Sequence, residues 1–265
     1  GRDVIVKKIQ MDRMKETDAR EVIRWEAEQH VPFDMENVEL DFQILDPGGE
    51  GLQMSVLLVA AKRELIENKV SLLTDAGLIP QIIDVDAFAL HNAFELNHPD
   101  AMQGMVGVLN IGHEVTNINI LEDGVPVLTR DLAIGTRRFR EDLQRERGLT
   151  AEEAEKLLQA FERSAVLDPY VESRGEEMAV GIERAAAFLL TSSRGSASMT
   201  KIYTSGGGSR IPGLSEVLAQ RLGVAFERAN PIQNIKVRDG VFENLAVDEV
   251  VPLLMLPVGL ALRAA

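Results

Sequence analysis

The sequence predicts an α/β protein of two domains, residues 1–78 and residues 79–265, and two patterns along the chain support this. The first domain is predicted to be a small β-α-β-β-α module. In the second domain, a meander of three strands is followed by helices, and a late strand then leads through three glycines into another helix. The predicted domain boundary, after residue 78, lies where the first pattern changes to the second.

The elements of the first domain follow from periodicity and end signals. Strands are predicted at residues 4–9, 38–45 and 55–60. The last of these is continuously apolar, which predicts a strand buried on both faces. One helix is predicted to begin with a capping box formed by Asp18 and Glu21 and to stop at Pro32, and a second helix is predicted to end at Gly77.

The second domain begins with alternating strands joined by turn residues. The meander is predicted at residues 106–111, 116–121 and 125–132. Asp123-Gly124 is a strong hairpin signal between the last two strands. Helices are predicted at residues 136–147, 151–161, about 170–191 and 214–222, with a strand at residues 201–205. Thr150 and Glu153 form a predicted capping box at the start of the second helix.

Composition excludes several classes of function. The chain has 265 residues, 45% of them hydrophobic, and a formal net charge of −14. This charge argues against binding to nucleic acid or to an anionic membrane surface. The chain contains no cysteine, which excludes disulfides and thiolate metal sites. The longest apolar stretch, residues 251–262, is shorter than the roughly 20 residues that a membrane span needs.

The stretch IYTSGGGSRIPGL at residues 202–214 places three glycines after a strand. A dinucleotide fingerprint fails because Ile211 stands where its third glycine belongs. A P-loop fails because Leu214 stands where its lysine belongs. A tight turn and an adenosine-binding loop both remain open from this stretch alone. The order of meander, helices, strand, glycines and helix favours the second, because it is the order of one half of an actin-like, ribonuclease-H-like ATPase.

Six stretches carry a resemblance to a known family. They are WEAEQHVPFDMENVELDFQIL (25–45), GVLNIGHEVTNINIL (107–121), TRDLAIGTRRFREDL (129–143), LTAEEAEKL (149–157), IYTSGGGSRIPGL (202–214) and PVGLALR (257–263). In this order they resemble the PilM family of actin-like type IV pilus assembly proteins, which is similar to the cell-division protein FtsA. The resemblance implies that residues 1–78 are an inserted subdomain and that residues 79–265 are the second half of an actin-like nucleotide-binding core.

The resemblance implies a phosphate-binding hairpin and ATP with Mg²⁺ as its ligand. Gly112 and Thr116 match the second phosphate loop of actin-like proteins, where backbone N–H groups and a hydroxyl meet the phosphates. Asn110 occupies the aspartate position, so it would orient a water of the hydrated metal but attract the metal less. The direct metal ligands stay unknown. The chain begins inside the inserted subdomain, so we expect the first phosphate loop to be missing from it.

The resemblance also implies an adenosine side to the site. Gly206, Gly207 and Gly208 would let the backbone approach adenosine and the α-phosphate, because a Cβ there would collide with the ligand. Arg210 matches an arginine that lies on the adenine ring. Glu155 matches a glutamate at the ribose hydroxyls, or it lies on a solvated helix face. The family's lysine one turn later is Leu158 here.

The implied function is that of a cytoplasmic adaptor, peripheral to the inner membrane. It would hold the N-terminal cytoplasmic segment of PilN in a groove beside the inserted subdomain. It would also link the inner-membrane complex to cytoplasmic ATPases, with the assembly ATPase and the platform protein as further candidate partners. We expect no significant catalysis by this chain, and at most a weak ATPase in a full-length protein. The alternatives are an actin-superfamily kinase and an FtsA-like filament, and self-association stays open.

Overall fold

A computed structural model describes residues 3–192 and 199–264 of the chain. The chain divides into two compact units, Gly1–Ile83 and Asp84–Ala265. The division lies shortly after the boundary that the sequence predicts. Each unit has its own sheet and its own apolar core packed on that sheet.

The small unit is a three-stranded antiparallel sheet with two helices. Its elements are β1 (Val4–Asp12), α1 (Glu16–Glu28), β2 (Val38–Ile44), β3 (Gln53–Lys62) and α2 (Arg63–Asp75). The strand order is β1-β3-β2, so β3 is central and β1 and β2 are edge strands. Because β3 pairs with both neighbours, the unpaired backbone groups of this sheet lie on β1 and β2.

Strand β3 is not buried on both faces, and the prediction that it is was wrong. Met54, Val56 and Leu58 are buried, whereas Ser55 and Leu57 between them are half-buried. The buried residues join Ala19, Ile23 and Ala27 of α1 in one core. Half-buried positions of a strand also hold apolar side chains. The sequence of a strand can therefore be continuously apolar although only one of its faces is fully buried.

The two predicted capping boxes have different outcomes. At α5 (Ala151–Leu158), the Thr150 hydroxyl accepts a hydrogen bond from the Glu153 backbone N–H, and the Glu153 carboxylate accepts one from the Thr150 N–H, so this capping box is confirmed. Helix α1 instead begins at Glu16 after Lys15, which makes no side-chain cap. Asp18 lies inside the first turn, where its charge interacts favourably with the helix dipole.

The large unit is built on a five-stranded mixed sheet. Its strands are β4 (Met105–Ile111), β5 (Thr116–Glu122), β6 (Val125–Leu132), β7 (Lys201–Ser205) and β8 (Ala225–Arg228), in the order β6-β5-β4-β7-β8. Its helices are α3 (Asp86–Asn97), α4 (Thr136–Arg147), α5 (Ala151–Leu158), α6 (Asp168–Ser192), α7 (Leu214–Leu222), α8 (Val247–Val250) and α9 (Met255–Ala261). The predicted meander and β7 are confirmed, and β8, a strand of 4 residues, was not predicted.

The two faces of the large sheet carry separate cores. Leu109 and Ile111 of β4 pack with helices α4 to α7, for example with Phe139. Val108, one residue away on β4, packs on the opposite face with Phe94 of α3. Strand side chains alternate between faces, so Asn110 lies on the α3 face at the carboxyl end of β4.

Helix α4 is held against α6 by a buried charge pair. The Arg174 Nε donates to the Asp142 Oδ2 at 2.6 Å, and Arg145 donates to the other carboxylate oxygen, also at 2.6 Å. Asp142 is 4% exposed. The Arg174 hydrogen bond is the main reason that the pKa of Asp142 lies below its usual range. This charge pair fixes the position of α4. The first turn of α4 contacts the candidate functional site, which is described in the next subsection.

No helix in the described part of the chain is both long enough and apolar enough to cross a membrane.

The end of α3 carries a buried histidine that accepts a hydrogen bond. The His98 Nε2 accepts from the Asn230 backbone N–H at 3.0 Å. The ring centroid lies 5.1 Å from that of Phe94 and 5.3 Å from that of Tyr203. Burial lowers the pKa of His98, and the negative charge of Glu227 offsets part of this effect. The neutral imidazole therefore belongs to the folded state.

We expect the free energy of unfolding to fall as the pH drops below about 6.5, the ordinary histidine pKa. In that range the unfolded chain binds a proton at residue 98 and the folded chain does not. The loss for one such group is at most about 1.4 kcal/mol per pH unit.

Urea unfolding between pH 8 and pH 5 measures this dependence of the free energy of unfolding on pH. His98→Gln keeps an acceptor without a titrating group and should flatten it. His113→Gln, at an exposed imidazole, is the control, and an unchanged slope in His98→Gln would contradict the assignment.

Candidate functional site

Two loops of the large unit meet at the carboxyl ends of β4 and β7. These strands are parallel neighbours, and Asn110 pairs in register with Ser205. The hairpin after β4 begins at Gly112, and the glycine loop after β7 begins at Gly206. The structure therefore brings together two segments that lie far apart in the chain, at the edge of the sheet where α/β proteins bind ligands.

Gly206 and Gly208 are glycines because the protein itself occupies the space beside them. Gly206 has a φ of +80°, and a Cβ there would lie 2.5 Å from the Ile111 carbonyl oxygen and 2.8 Å from the Asn110 Oδ1. Gly208 is buried, and a Cβ there would overlap the side chain of Ile111 and lie 3.1 Å from the Thr136 Cγ2. The end of β4 fills the space that a Cβ would need at these two glycines, and their contact with a ligand stays a prediction.

Gly207 is different from its two neighbours. It is exposed, and a Cβ there would meet only the Leu253 Cδ2, at an ordinary distance of 3.7 Å. Gly207 is therefore the glycine of the three that presents its backbone to open space. Its contact with a ligand stays a prediction.

The hairpin after β4 caps helix α4. The Gly112 carbonyl accepts from the Thr136 N–H at 3.0 Å, and the His113 carbonyl accepts from the Arg137 N–H at 2.8 Å. The Gly112 N–H donates to the Val115 carbonyl at 3.0 Å. The N–H groups of His113 and Glu114 have no acceptor within the described residues, and both residues are exposed. These two groups are available to an anion.

Thr116 is fully buried, and its hydroxyl donates to the Ile134 carbonyl at 2.8 Å. This bond ties the start of β5 to the segment before α4. A contact between the Thr116 hydroxyl and a phosphate stays a prediction, and it requires the hydroxyl to leave this bond.

Arg210 lies in a cleft next to the glycine loop. Its guanidinium donates to the Glu249 carbonyl at 3.4 Å and lies 3.9 Å from the Glu249 carboxylate. The cleft has a volume of about 330 Å³, and its lining includes Phe161, Arg228 and Ser209. Phe161 is 83% exposed. The sequence predicts Phe161 as the last residue of a helix, whereas α5 ends at Leu158. Phe161 was missed as a site residue because a single aromatic residue carries no pattern.

Glu155 is not brought to the glycine loop by any contact within the described residues. It lies half-buried on α5, where its carboxylate accepts from the Gln159 side chain at 2.6 Å. Leu158, at the position of the family's lysine, is 3% exposed and belongs to the core. A ribose contact by Glu155 stays a prediction.

Three polar residues beside Asn110 were also missed. Asn110 donates to Asn117 of β5 at 3.2 Å and accepts from the Ser205 hydroxyl at 3.2 Å. Asn117 donates to Asp131 of β6 at 2.8 Å. The turns of the predicted meander could have revealed this arrangement. They set a strand register that places residues 110, 117 and 131 side by side on three strands. The described residues contain no group of three or more histidine and carboxylate side chains that could hold a metal ion.

Comparison with known proteins identifies the family. A family model described as Type IV pilus assembly protein PilM matches residues 1–265. The chain belongs to this family. It is also similar to a chain of the solved PilM–PilN type IV pilus biogenesis complex, with a TM-score of 0.85 and 30% sequence identity over 98% of this chain and 76% of that one.

A more distant structural likeness supports the fold of this PilM-family chain. The ethanolamine utilization protein EutJ from Carboxydothermus hydrogenoformans matches with a TM-score of 0.54 and 22% identity, over 82% of this chain and 62% of that one. The actin-like α/β fold predicted from the sequence is confirmed. The membership of the PilM family predicted from the six stretches is confirmed as well.

We expect Gly208→Ala to destabilise the protein by about 1–3 kcal/mol, because the added methyl group overlaps the Ile111 side chain. Gly207→Ala, one residue away, should change the free energy of unfolding by no more than about 0.5 kcal/mol, as for most surface substitutions. Urea unfolding of the two variants measures the difference. Equal stability of the two variants would mean that the loop does not pack on β4 as described.

Proposed function

We propose that this chain is a nucleotide-binding adaptor of a type IV pilus assembly machine that binds the N-terminal cytoplasmic segment of PilN. The observation that carries the proposal is the likeness to the PilM–PilN complex, at 30% identity over 98% of the chain. In this role the chain lies in the cytoplasm, peripheral to the inner membrane, and links the membrane complex to cytoplasmic ATPases.

The small unit supplies a surface that suits an extended peptide. A peptide can add to an edge strand through backbone hydrogen bonds, and side-chain pockets then provide specificity. Of the two edges, β2 carries Glu39 and Asp41 on one face, whereas β1 carries Lys7 and Lys8. The net charge of −14 favours a peptide with basic residues. We therefore place the PilN segment at the β2 edge.

The large unit supplies the nucleotide site. The exposed N–H groups of His113 and Glu114 would meet phosphate oxygens, and Gly207 would let the backbone approach adenosine. Arg210 and Phe161 in the adjoining cleft would contact the adenine ring. The ligand is ATP with Mg²⁺, and the Asn110 amide would orient a water of the hydrated metal rather than bind the ion itself.

We expect a labelled PilN N-terminal peptide to bind the chain, and Asp41→Lys to weaken this binding at least about fivefold. A lysine on an edge strand opposes pairing with another strand, and here it also repels a basic peptide. Fluorescence anisotropy at low and high salt measures the affinity.

Glu67→Lys is the matched control for this experiment. Glu67 is an exposed carboxylate of the same unit, on α2 rather than on the sheet edge. An equal loss of affinity in Asp41→Lys and Glu67→Lys would indicate a general charge effect. It would contradict the proposal that the peptide binds at the β2 edge. No binding of the peptide at high micromolar concentration would contradict the adaptor function itself.

We expect Gly207→Val to weaken ATP binding by more than about 1.4 kcal/mol, a factor of ten. The added side chain points into space that the protein leaves open, so the free energy of unfolding should change little. Gly48→Val is the control, because a Cβ at Gly48 meets nothing within 4 Å and this turn lies in the other unit. Calorimetry with MgATP measures the affinity, and an unchanged affinity in Gly207→Val would remove the glycine loop from the site.

A further inference from the structure

A continuous row of side-chain hydrogen bonds crosses four strands at the carboxyl end of β4. The strand register aligns Ser205 of β7, Asn110 of β4, Asn117 of β5 and Asp131 of β6. The successive bonds measure 3.2 Å, 3.2 Å and 2.8 Å. Ser205 is fully buried and Asn117 is 8% exposed, whereas Asp131 lies exposed on the edge strand.

The direction of every bond in this row follows from its last member. An ionised carboxylate only accepts, so the Asn117 NH₂ group must face Asp131. The Asn117 Oδ1 then faces Asn110 and requires the NH₂ group of Asn110. The Asn110 Oδ1 is left to accept from the Ser205 hydroxyl, whose one hydrogen it shares with the Leu109 carbonyl at 3.3 Å. Turning either amide over would place two oxygens or two NH₂ groups against each other, which leaves buried polar groups without partners.

We infer that Asp131 is a positioning residue, which acts through Asn117 to hold the carbonyl oxygen of Asn110 toward the glycine loop. The Asn110 Oδ1 already lies close to that loop, since a Cβ on Gly206 would be 2.8 Å from it. This inference rests on the proposed function for its ligand, a magnesium–nucleotide complex. Asn110 has no charge of its own, so the orientation of its amide dipole decides whether it attracts or repels a hydrated cation.

A second row on the same sheet face provides a matched control. Two residues back along the strands, Thr129 of β6 donates to the Asn119 Oδ1 at 3.0 Å. Asn119 in turn donates to the Ala87 carbonyl of α3 at 2.7 Å. This row ends at α3 and does not include Asn110. Thr129→Val therefore removes one side-chain hydrogen bond from the same two strands without affecting the orientation of Asn110.

The experiment compares MgATP affinity in three single variants. Asp131→Ala should lower the affinity about two- to tenfold, the range that corresponds to one net hydrogen bond. Asp131→Asn should restore most of it, because an amide oxygen at residue 131 can still accept from Asn117. Thr129→Val should leave it unchanged. Equal losses in Asp131→Ala and Thr129→Val would overturn the inference, because the effect would then be general weakening of the sheet.

A double-mutant cycle tests whether the effect passes through Asn117. In the Asn117→Ala background, Asp131→Ala should have no further effect on the affinity, because the connection is already cut. Additive losses would overturn the inference, since Asp131 would then act on the ligand directly through its charge.

A measurement without nucleotide separates this inference from the proposed function. The side-chain NH₂ resonances of Asn110, observed by NMR in the nucleotide-free protein, should shift in Asp131→Ala and stay in place in Thr129→Val. If the wild-type protein does not bind MgATP, the proposed function fails, and the NMR comparison still reports on the row. Unchanged Asn110 resonances in Asp131→Ala would overturn the inference, whatever the affinity.

Discussion

The close contact between Gly208 and Ile111 is the constraint on which the candidate site depends. Because residue 208 has no Cβ, the loop after β7 can lie directly on the last residue of β4. Gly206 allows the same approach two residues earlier, against the Ile111 carbonyl. Parallel pairing of β4 and β7 puts the two loops at one edge of the sheet, and these contacts bring the glycine loop directly onto the end of β4. The site is therefore made by packing between two backbones before any ligand is involved.

Helix α4 completes this arrangement and limits what it can bind. Its first N–H groups, at Thr136 and Arg137, are already capped by carbonyls of the hairpin. The positive end of the helix dipole is therefore satisfied by the protein, and an anion must be met by the hairpin N–H groups instead. The ion pair between Asp142 and Arg174 holds the helix in this position from the other side. The hairpin is thereby joined by backbone hydrogen bonds to a helix that is itself anchored to α6.

The charge distribution around Asn110 differs from that of a site with a carboxylate at its centre. Asn110 and Asn117 are neutral, and the carboxylate of the row, Asp131, lies at the exposed edge of the sheet. Burying a charge at residue 110 would incur a desolvation cost, and a carboxylate there would face the Asn117 oxygen. The row keeps an ordered dipole beside the glycine loop, with its carboxylate on the edge strand β6.

The sequence by itself determined the features that depend on neighbours along the chain. Alternation and turn residues predicted β4, β5 and β6, the pair Thr150 and Glu153 predicted the start of α5, and the six family stretches predicted the actin-like fold. The start of α1 failed at Asp18, because several acidic residues near a helix start carry similar local signals. The short strand β8 was missed because 4 residues carry too little periodicity to be distinguished from a loop.

Only the tertiary structure decided which glycine faces open space and which polar groups meet. Gly206, Gly207 and Gly208 are equivalent in sequence, and they differ only because Ile111, 95 or more positions earlier, fills the space beside two of them. The row from Ser205 to Asp131 depends in the same way on strand pairing over long separations. Local patterns specify conformation because they act between residues a few positions apart. Contacts between distant segments depend on how whole elements pack, which no short stretch of sequence contains.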